Sequence, residues 1–270
     1  MFSKNVEYSG APQLSSWRKI AIGTWKSCGD PSAYGTLEVD ATALLEKIKR
    51  EKEAGNKVTP TVAIAKAIAL SIREYPILNT VLRWGKLYQR KSVDVFLQVS
   101  ETESRKDDLS GVLVRDCDQK SLTEIAKEIR ESAGLVKKGD DVQYKKMKSI
   151  INLLPGFLVR PLLNLMAFLM YDLNLWSPLF NSPRDSFGSV MVTSVGMMGI
   201  DNGFAPLVPY SRCPALVAVG EIKQRPVVID NQITIRPMLT LGITLDHRQV
   251  DGKGASYMLK AFRKFIENPQ

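Results

Sequence analysis

The strongest constraint on the fold lies in the last third of the chain. Residues 187–194, 214–219, 226–235 and 238–245 are short runs rich in Val and Ile that read as strands, and "IDNQI" at 229–233 reads as a hairpin turn between two of them. Capped helical segments precede these runs. "GTLEVDATALLEKIKREKEAG" (35–55) passes from strand to helix, with Asp40 as the expected N-cap and Gly55 as the stop. "TPTVAIAKAIALSIREYP" (59–76) opens on Thr59 and Pro60, and its density of Ala and Ile predicts a buried helix. "SVDVFLQVS" (92–100) alternates as a strand does, and "SLTEIAKEIRESAG" (121–134) begins with a capping box from Ser121 to Glu124. A helix over 254–266 closes the chain. Strands and helices interleave with no linker and no internal repeat, which predicts one α/β domain on a largely sequential mixed sheet.

With 270 residues, 44% of them hydrophobic, the chain can bury a large core. Cys28, Cys117 and Cys213 are odd in number and far apart, and no CxxC occurs, so neither a disulfide framework nor a cysteine zinc site is indicated. A single histidine excludes a His-rich metal site, and no metal is expected. The first residues contain no apolar stretch like that of a signal peptide, so a reduced, cytoplasmic setting is the expectation. A net charge of +9 suits an anionic partner: nucleic acid, anionic lipid or an anionic cofactor. The lysines are scattered and no nucleic-acid motif is present, so no nucleic-acid binding is expected.

One segment departs from the pattern. "INLLPGFLVRPLLNLMAFLMYDLNLWSPLF" (151–180) is strongly apolar but is interrupted by Pro155, Gly156, Arg160, Pro161, Asn164 and Asp172. A membrane span needs about 20 mostly apolar residues, and these interruptions argue against one. Lys137, Lys138, Lys145, Lys146 and Lys148 lie upstream. The segment reads either as a helix packed on its own domain or on a neighbouring subunit, or as a helix lying on a membrane surface, which would make the protein peripheral to a membrane.

The lone histidine, His247, stands in "TLGITLDHRQVDGKGA" (240–255), at the end of an alternating apolar run. That places it at a strand end or the start of the next loop. A neutral imidazole there can take a proton from a thiol or hydroxyl near neutral pH. Asp251 can brace the loop or the tautomer, and Gly252 permits a tight turn.

"DHRQVDGKGA" resembles the DHRxxDG signature of the catalytic domain of the dihydrolipoyl acyltransferases of 2-oxo acid dehydrogenase complexes, whose fold and related HxxxDG motif are shared by chloramphenicol acetyltransferase. "GTLEVDATALLEKIK", "KVTPTVAIAKAIALSIREYPILNT", "VLVRDCDQKSLTEIAKEI", "VTSVGMMGID" and "ALVAVGEIKQRPVV" are similar to further segments of that family. The resemblance covers residues 18–269 apart from 145–185. It implies a chloramphenicol acetyltransferase-like two-layer α/β sandwich with a mixed sheet. The implied layout is an N-terminal arm over 1–17 and a catalytic domain over 18–270, with an apolar insertion at about 145–185.

The same resemblance implies acyl transfer from a thioester to a thiol, hydroxyl or amine. His247 would be the general base, Asp251 would hold the loop, and the Thr193 hydroxyl would stabilise the tetrahedral oxyanion, with Ser194 as the fallback donor. One good oxyanion donor is worth roughly 3–4 kcal/mol. The expected substrate is coenzyme A or acyl-CoA, with a small-molecule acyl donor and acceptor, no metal and no covalently attached lipoate. A homotrimer is expected, since these enzymes form their site between adjacent subunits. The insertion lies just upstream of the strand carrying Thr193, which suggests that it covers the acyl-binding mouth.

The sequence also departs from the family. No lipoyl domain, subunit-binding domain or Pro/Ala linker is legible ahead of the catalytic region. Ser194 replaces the usual Asn. Ile22, Gly23 and Thr24 replace the segment that holds an arginine pair, leaving Arg18 as the nearest substitute partner for Asp251. These departures keep two other readings open: a non-catalytic scaffold on the same fold, and a dehydrogenase-complex component that uses lipoyl domains in trans.

Overall fold

A computed structural model describes residues 3–15, 19, 30–100, 109–137, 151 and 153–269. Among these, β1 (Ser3–Lys4) and β2 (Tyr8–Gly10) precede β3 (Ser32–Asp40), α1 (Thr42–Glu53) and α2 (Pro60–Glu74). Next come β4 (Thr80–Arg83), β5 (Lys86–Arg90), β6 (Val95–Ser100), β7 (Leu109–Val114), α3 (Leu122–Lys137) and α4 (Gly156–Ala167). The chain closes with β8 (Leu175–Trp176), β9 (Val190–Ser194), β10 (Ala215–Val219), β11 (Lys223–Ile229), β12 (Gln232–Asp246) and α5 (Gly252–Glu267).

Local chemistry sets the helix starts. Thr59 Oγ1 accepts the Val62 N–H at 3.4 Å with Pro60 in the first turn, and the Ser121 and Glu124 groups bond reciprocally, at 2.7 and 3.2 Å. Asp40 stands one residue outside the cap of α1, which is Ala41, yet its Oδ1 still accepts the Thr42 N–H at 2.8 Å. Gly55, at φ +85°, ends the helix as expected.

Several strand boundaries differ from the sequence pattern, two of them for a visible reason. The run 226–235 straddles a hairpin: Asp230 and Asn231 take φ of 49° and 61°, and β12 then continues for 15 residues to Asp246. Two successive left-handed residues of this type form the tight turn whose twist matches a hairpin. The expected strand at 187–194 begins only at Val190, because Gly188 turns at φ +60° and the Ser189 hydroxyl is bonded to Asn79.

Strand pairing gives a mixed sheet. β12 pairs antiparallel with β3 along one edge and with β10 and then β11 along the other. β10 runs parallel to β9, β9 parallel to β6, and β6 antiparallel to β7. Helices α1, α2, α3 and α5 cover one face, where Leu44, Ile64, Ile68, Ile125, Met258 and Phe262 pack against Val39, Leu97, Val192, Val217, Leu241 and Ile243 in the main core. Alternation sends Phe96, Met191 and Leu216 to the opposite face, into a smaller cluster with Phe187 and Leu207. A third cluster, around Val6, Val81, Ala167, Met170 and Tyr171, joins the β2–β5–β4 sheet to the apolar segment after α4.

The segment that follows β9 lies on the sheet face away from the helices. A Cβ at Gly242 would fall 1.8 Å from the Gly203 carbonyl oxygen, and one at Gly220 would fall 2.0 Å from that of Asp201. The Thr244 hydroxyl donates to Ala205 O at 2.8 Å and fixes the same segment. Gly242→Ala should therefore destabilise the chain by about 1–3 kcal/mol or more, since the obstacle is backbone. Gly134→Ala, in α3 where nothing lies within 4 Å, should stabilise it by roughly 0.5–1 kcal/mol. Thermal unfolding followed by circular dichroism measures both, and an unchanged midpoint for Gly242→Ala would contradict the close approach.

Candidate active site

The loop that carries His247 is built on Asp246, the last residue of β12. Its carboxylate is buried and accepts four bonds. Oδ1 takes the Arg248 N–H and Nε–H, each at 3.0 Å, and Oδ2 takes Arg248 Nη2 at 2.8 Å and Gln249 Nε2 at 3.2 Å. The Asp246 carbonyl accepts the Gln249 and Val250 N–H groups at 2.9 and 3.0 Å, which closes a tight turn. His247 thus leaves the strand end half-buried, its own N–H donating to Pro31 O at 2.9 Å.

Asp251 is the N-cap of α5. It takes φ −95° and ψ 173°, and its Oδ1 accepts the Gly254 N–H at 2.8 Å. The helix starts at Gly252, two residues earlier than the expected 254. Residues 246–252 are therefore held at one end by a buried carboxylate and at the other by a helix cap. Arg18 and residues 22–24, with the question of an arginine partner for Asp251, lie outside the described residues, as do Cys28 and the lysines at 138–148.

A buried polar chain ties this loop to the rest of the fold. The Thr80 hydroxyl donates to Gln249 Oε1 at 3.4 Å, and the Thr80 carbonyl accepts Arg90 Nη1 at 2.8 Å. Arg90 is itself buried and grips Asp185 with Nε and Nη2, at 2.6 and 3.2 Å. Burial works against the Arg90 charge, but the Asp185 carboxylate outweighs it and raises the pKa. Asp246, Gln249, Thr80, Arg90 and Asp185 were not singled out by the sequence. Asp246 alone left a trace there, as an acid ending an apolar run two residues before an arginine.

Thr193 is half-buried near the end of β9, on the face shared with Met191. It is not beside His247 in the same chain. Thr193 opposes Ala218 of β10, and Ala218 opposes Gly242 of β12, five residues before His247. Five residues at about 3.4 Å each, and two strand spacings of about 4.8 Å, put the two residues roughly 20 Å apart. Because β9 runs with β10 while β12 runs against it, Thr193 and Ser194 lie at one end of the sheet and His247 at the other. The remaining described nucleophile candidates are silent: burial pushes the Cys117 thiol to about 12 and the Cys213 thiol to about 11, so neither is a thiolate at neutral pH.

A family model described as "2-oxoacid dehydrogenases acyltransferase (catalytic domain)" matches residues 17–148 and 184–270. A succinyltransferase component of the 2-oxoglutarate dehydrogenase complex from Staphylococcus saprophyticus, named for its dihydrolipoyllysine residue, is 28% identical over 240 residues, 86% of this chain and 46% of that protein. The chain thus spans about half the length of the curated relatives it matches. Among solved structures, a probable dihydrolipoamide acetyltransferase from Listeria monocytogenes superposes with a TM-score of 0.64 at 23% identity, covering 95% of this chain and 93% of that one. A chloramphenicol acetyltransferase superposes with a TM-score of 0.51 at 12% identity, over 93% and 96% of the two chains. The expected α/β fold with a mixed sheet is the fold of these neighbours. The expectation of coenzyme A or acyl-CoA as the substrate is corrected: the relatives are named for dihydrolipoyllysine and lipoamide. The match over most of its length makes this chain a member of the 2-oxoacid dehydrogenase acyltransferase catalytic-domain family.

Proposed function

We propose that this acyltransferase domain moves an acyl group to or from the thiol of a dihydrolipoyllysine residue, as a component of a 2-oxo acid dehydrogenase type of assembly. The observation that carries the reading is the His247 loop: an imidazole at a strand end, on a turn held by a buried carboxylate and a helix cap, in a chain of this family. A nitrogen of the neutral imidazole accepts the proton of the attacking thiol. The resulting thiolate adds to the thioester carbonyl carbon, and the carbonyl oxygen becomes an oxyanion. When the tetrahedral intermediate collapses, the carbon–sulfur bond to the original thiol breaks, and that thiol leaves with the proton held by His247. Transfer between two thiols is balanced and needs no oxidant.

The oxyanion donor is Thr193 of a second copy. The separation of about 20 Å within one chain, from strand geometry, supports a site completed between chains, as does the surface around Thr193, where Met197, Met198, Ile200 and Phe204 are exposed. A symmetric ring, with a trimer as the smallest, allows the His247 end of each copy to face the Thr193 end of the next.

His247→Ala should lower exchange of labelled acyl groups between S-acyl-dihydrolipoamide and unlabelled dihydrolipoamide by roughly 10²–10⁴-fold while the fold is kept. Exchange within threefold of the parent would overturn the general-base assignment. Thr193→Ala should lower kcat more than it raises KM, because the donor acts on charge present only in the transition state. The test of the shared site is complementation: chains carrying His247→Ala and chains carrying Thr193→Ala, co-expressed, should regain exchange activity that neither has alone. If the mixed assemblies stay inactive, the two residues do not meet across an interface. If the parent chain exchanges no acyl group at all, the scaffold reading stands instead.

A further inference from the structure

Helix α4 and the turn after it carry apolar side chains on both sides, with Arg160 and Asn164 as exposed polar exceptions. The inner side packs in the ordinary way: Ala167, Met170 and Tyr171 are buried against Val6 and Val81. The outer side carries Phe157, Pro161, Leu165 and Phe168, spaced four, four and three residues apart and therefore on one stripe of the helix. That stripe faces outward: Phe157 is 77% exposed and Leu165 53%, with Leu158 and Phe168 also exposed and Leu153 just ahead of the helix. A surface helix ordinarily turns polar residues outward, and one that is apolar all round is ordinarily buried. The segment also lies between the two stretches matched by the family model, 17–148 and 184–270.

The surroundings identify the occupant. Trp84, at the tip of the β4–β5 hairpin, is 61% exposed and sets its ring edge-on against Phe168, with centroids 6.1 Å apart. Its indole N–H donates to Asp172 O at 2.7 Å, so the polar end is satisfied while the ring stays outside. Trp and Tyr of this kind favour the boundary between water and lipid. Arg160 and Lys86 are exposed beside the apolar stripe. Asp172 is the only acid between residues 151 and 184 in the sequence, and it is paired with Arg212 at 2.9 Å. Lys145, Lys146 and Lys148 precede Ile151 in the sequence, in a chain of net charge +9. The partner complementary to this face is apolar with an anionic rim.

We propose that the outer face of α4, with Trp84, docks on an anionic lipid surface. A helix of 12 residues is about 18 Å long and falls short of the roughly 30 Å hydrocarbon core. Among the described residues no helix is long and apolar enough to cross a membrane. The helix therefore lies in the interface plane, its Phe and Leu side chains entering the acyl boundary and Arg160 and Lys86 meeting lipid phosphates.

Co-sedimentation of the full chain tests this, with vesicles of equimolar phosphatidylcholine and phosphatidylglycerol set against pure phosphatidylcholine. The parent should bind the anionic vesicles more tightly, and binding should weaken as salt shortens the range of the charge attraction. Phe157→Ser with Leu165→Ser should lower the partition coefficient by about tenfold or more, since each side chain loses the transfer of its apolar surface. Both positions are exposed, so the double variant should keep its circular dichroism spectrum and its acyl exchange rate. Equal binding by parent and double variant, or no preference for anionic vesicles, overturns the proposal. So does a drop in assembly mass by light scattering in the double variant with vesicle binding unchanged, which would mean that a second copy covers this face.

Discussion

A carboxylate buried to 4% exposure at the end of β12 organises the loop on which the site rests. Such a group is stable as an anion only if donors replace its water, and Asp246 has four from the two residues that follow its neighbour His247. Removing the guanidinium of Arg248 would leave the buried Asp246 carboxylate with only the Arg248 N–H and Gln249 as donors. The loop backbone therefore has little freedom to rearrange around His247. Gln249 passes the restraint on to Thr80, and Thr80 shares its carbonyl with Arg90, whose other donors are spent on Asp185. The histidine loop, the small β2–β5–β4 sheet and the far end of the apolar segment are thus one hydrogen-bonded unit.

Thr193 and His247 stand at opposite ends of the sheet because its strands do not all run the same way. If β9, β10 and β12 were all parallel, Thr193 and His247 would both sit at the C-terminal edge. The antiparallel step between β10 and β12 sends His247 to the opposite edge. On the proposed roles of His247 and Thr193, the base and the oxyanion donor come from two chains, and assembly is then a condition of activity. The exposed methionines after β9 suit such a contact, being apolar and able to adapt to the surface they meet.

The apolar segment obeys a different logic. Its inner side is ordinary core and its outer side has no partner within the chain, so its residues satisfy two environments at once. It is anchored to the catalytic unit at both ends of its packing: Arg83 and Trp84 donate to the Asp172 carbonyl, and Asp185 ends the segment in the grip of Arg90. Whatever covers the outer face of α4 is in this way connected to the loop bearing His247 through buried, paired groups.

What the sequence determined by itself was local. Helix caps at Thr59 and Ser121, the stop at Gly55, the left-handed pair Asp230 and Asn231, and the placement of His247 at a strand end are set by residues within a few positions of one another, and all were legible. So was the family, because its motifs are contiguous. Boundaries such as the late start of β9 were not, since Ser189 answers to Asn79 more than a hundred residues away. The partners of Asp246 and Gln249 were only half visible: Arg248 is adjacent, but Thr80, Arg90 and Asp185 reach the loop through the tertiary fold. Only the tertiary structure decided that Thr193 and His247 stand at opposite ends of one sheet. Strand order and direction are long-range pairings, and the side-chain alternation that betrays a strand is the same whichever way its neighbour runs.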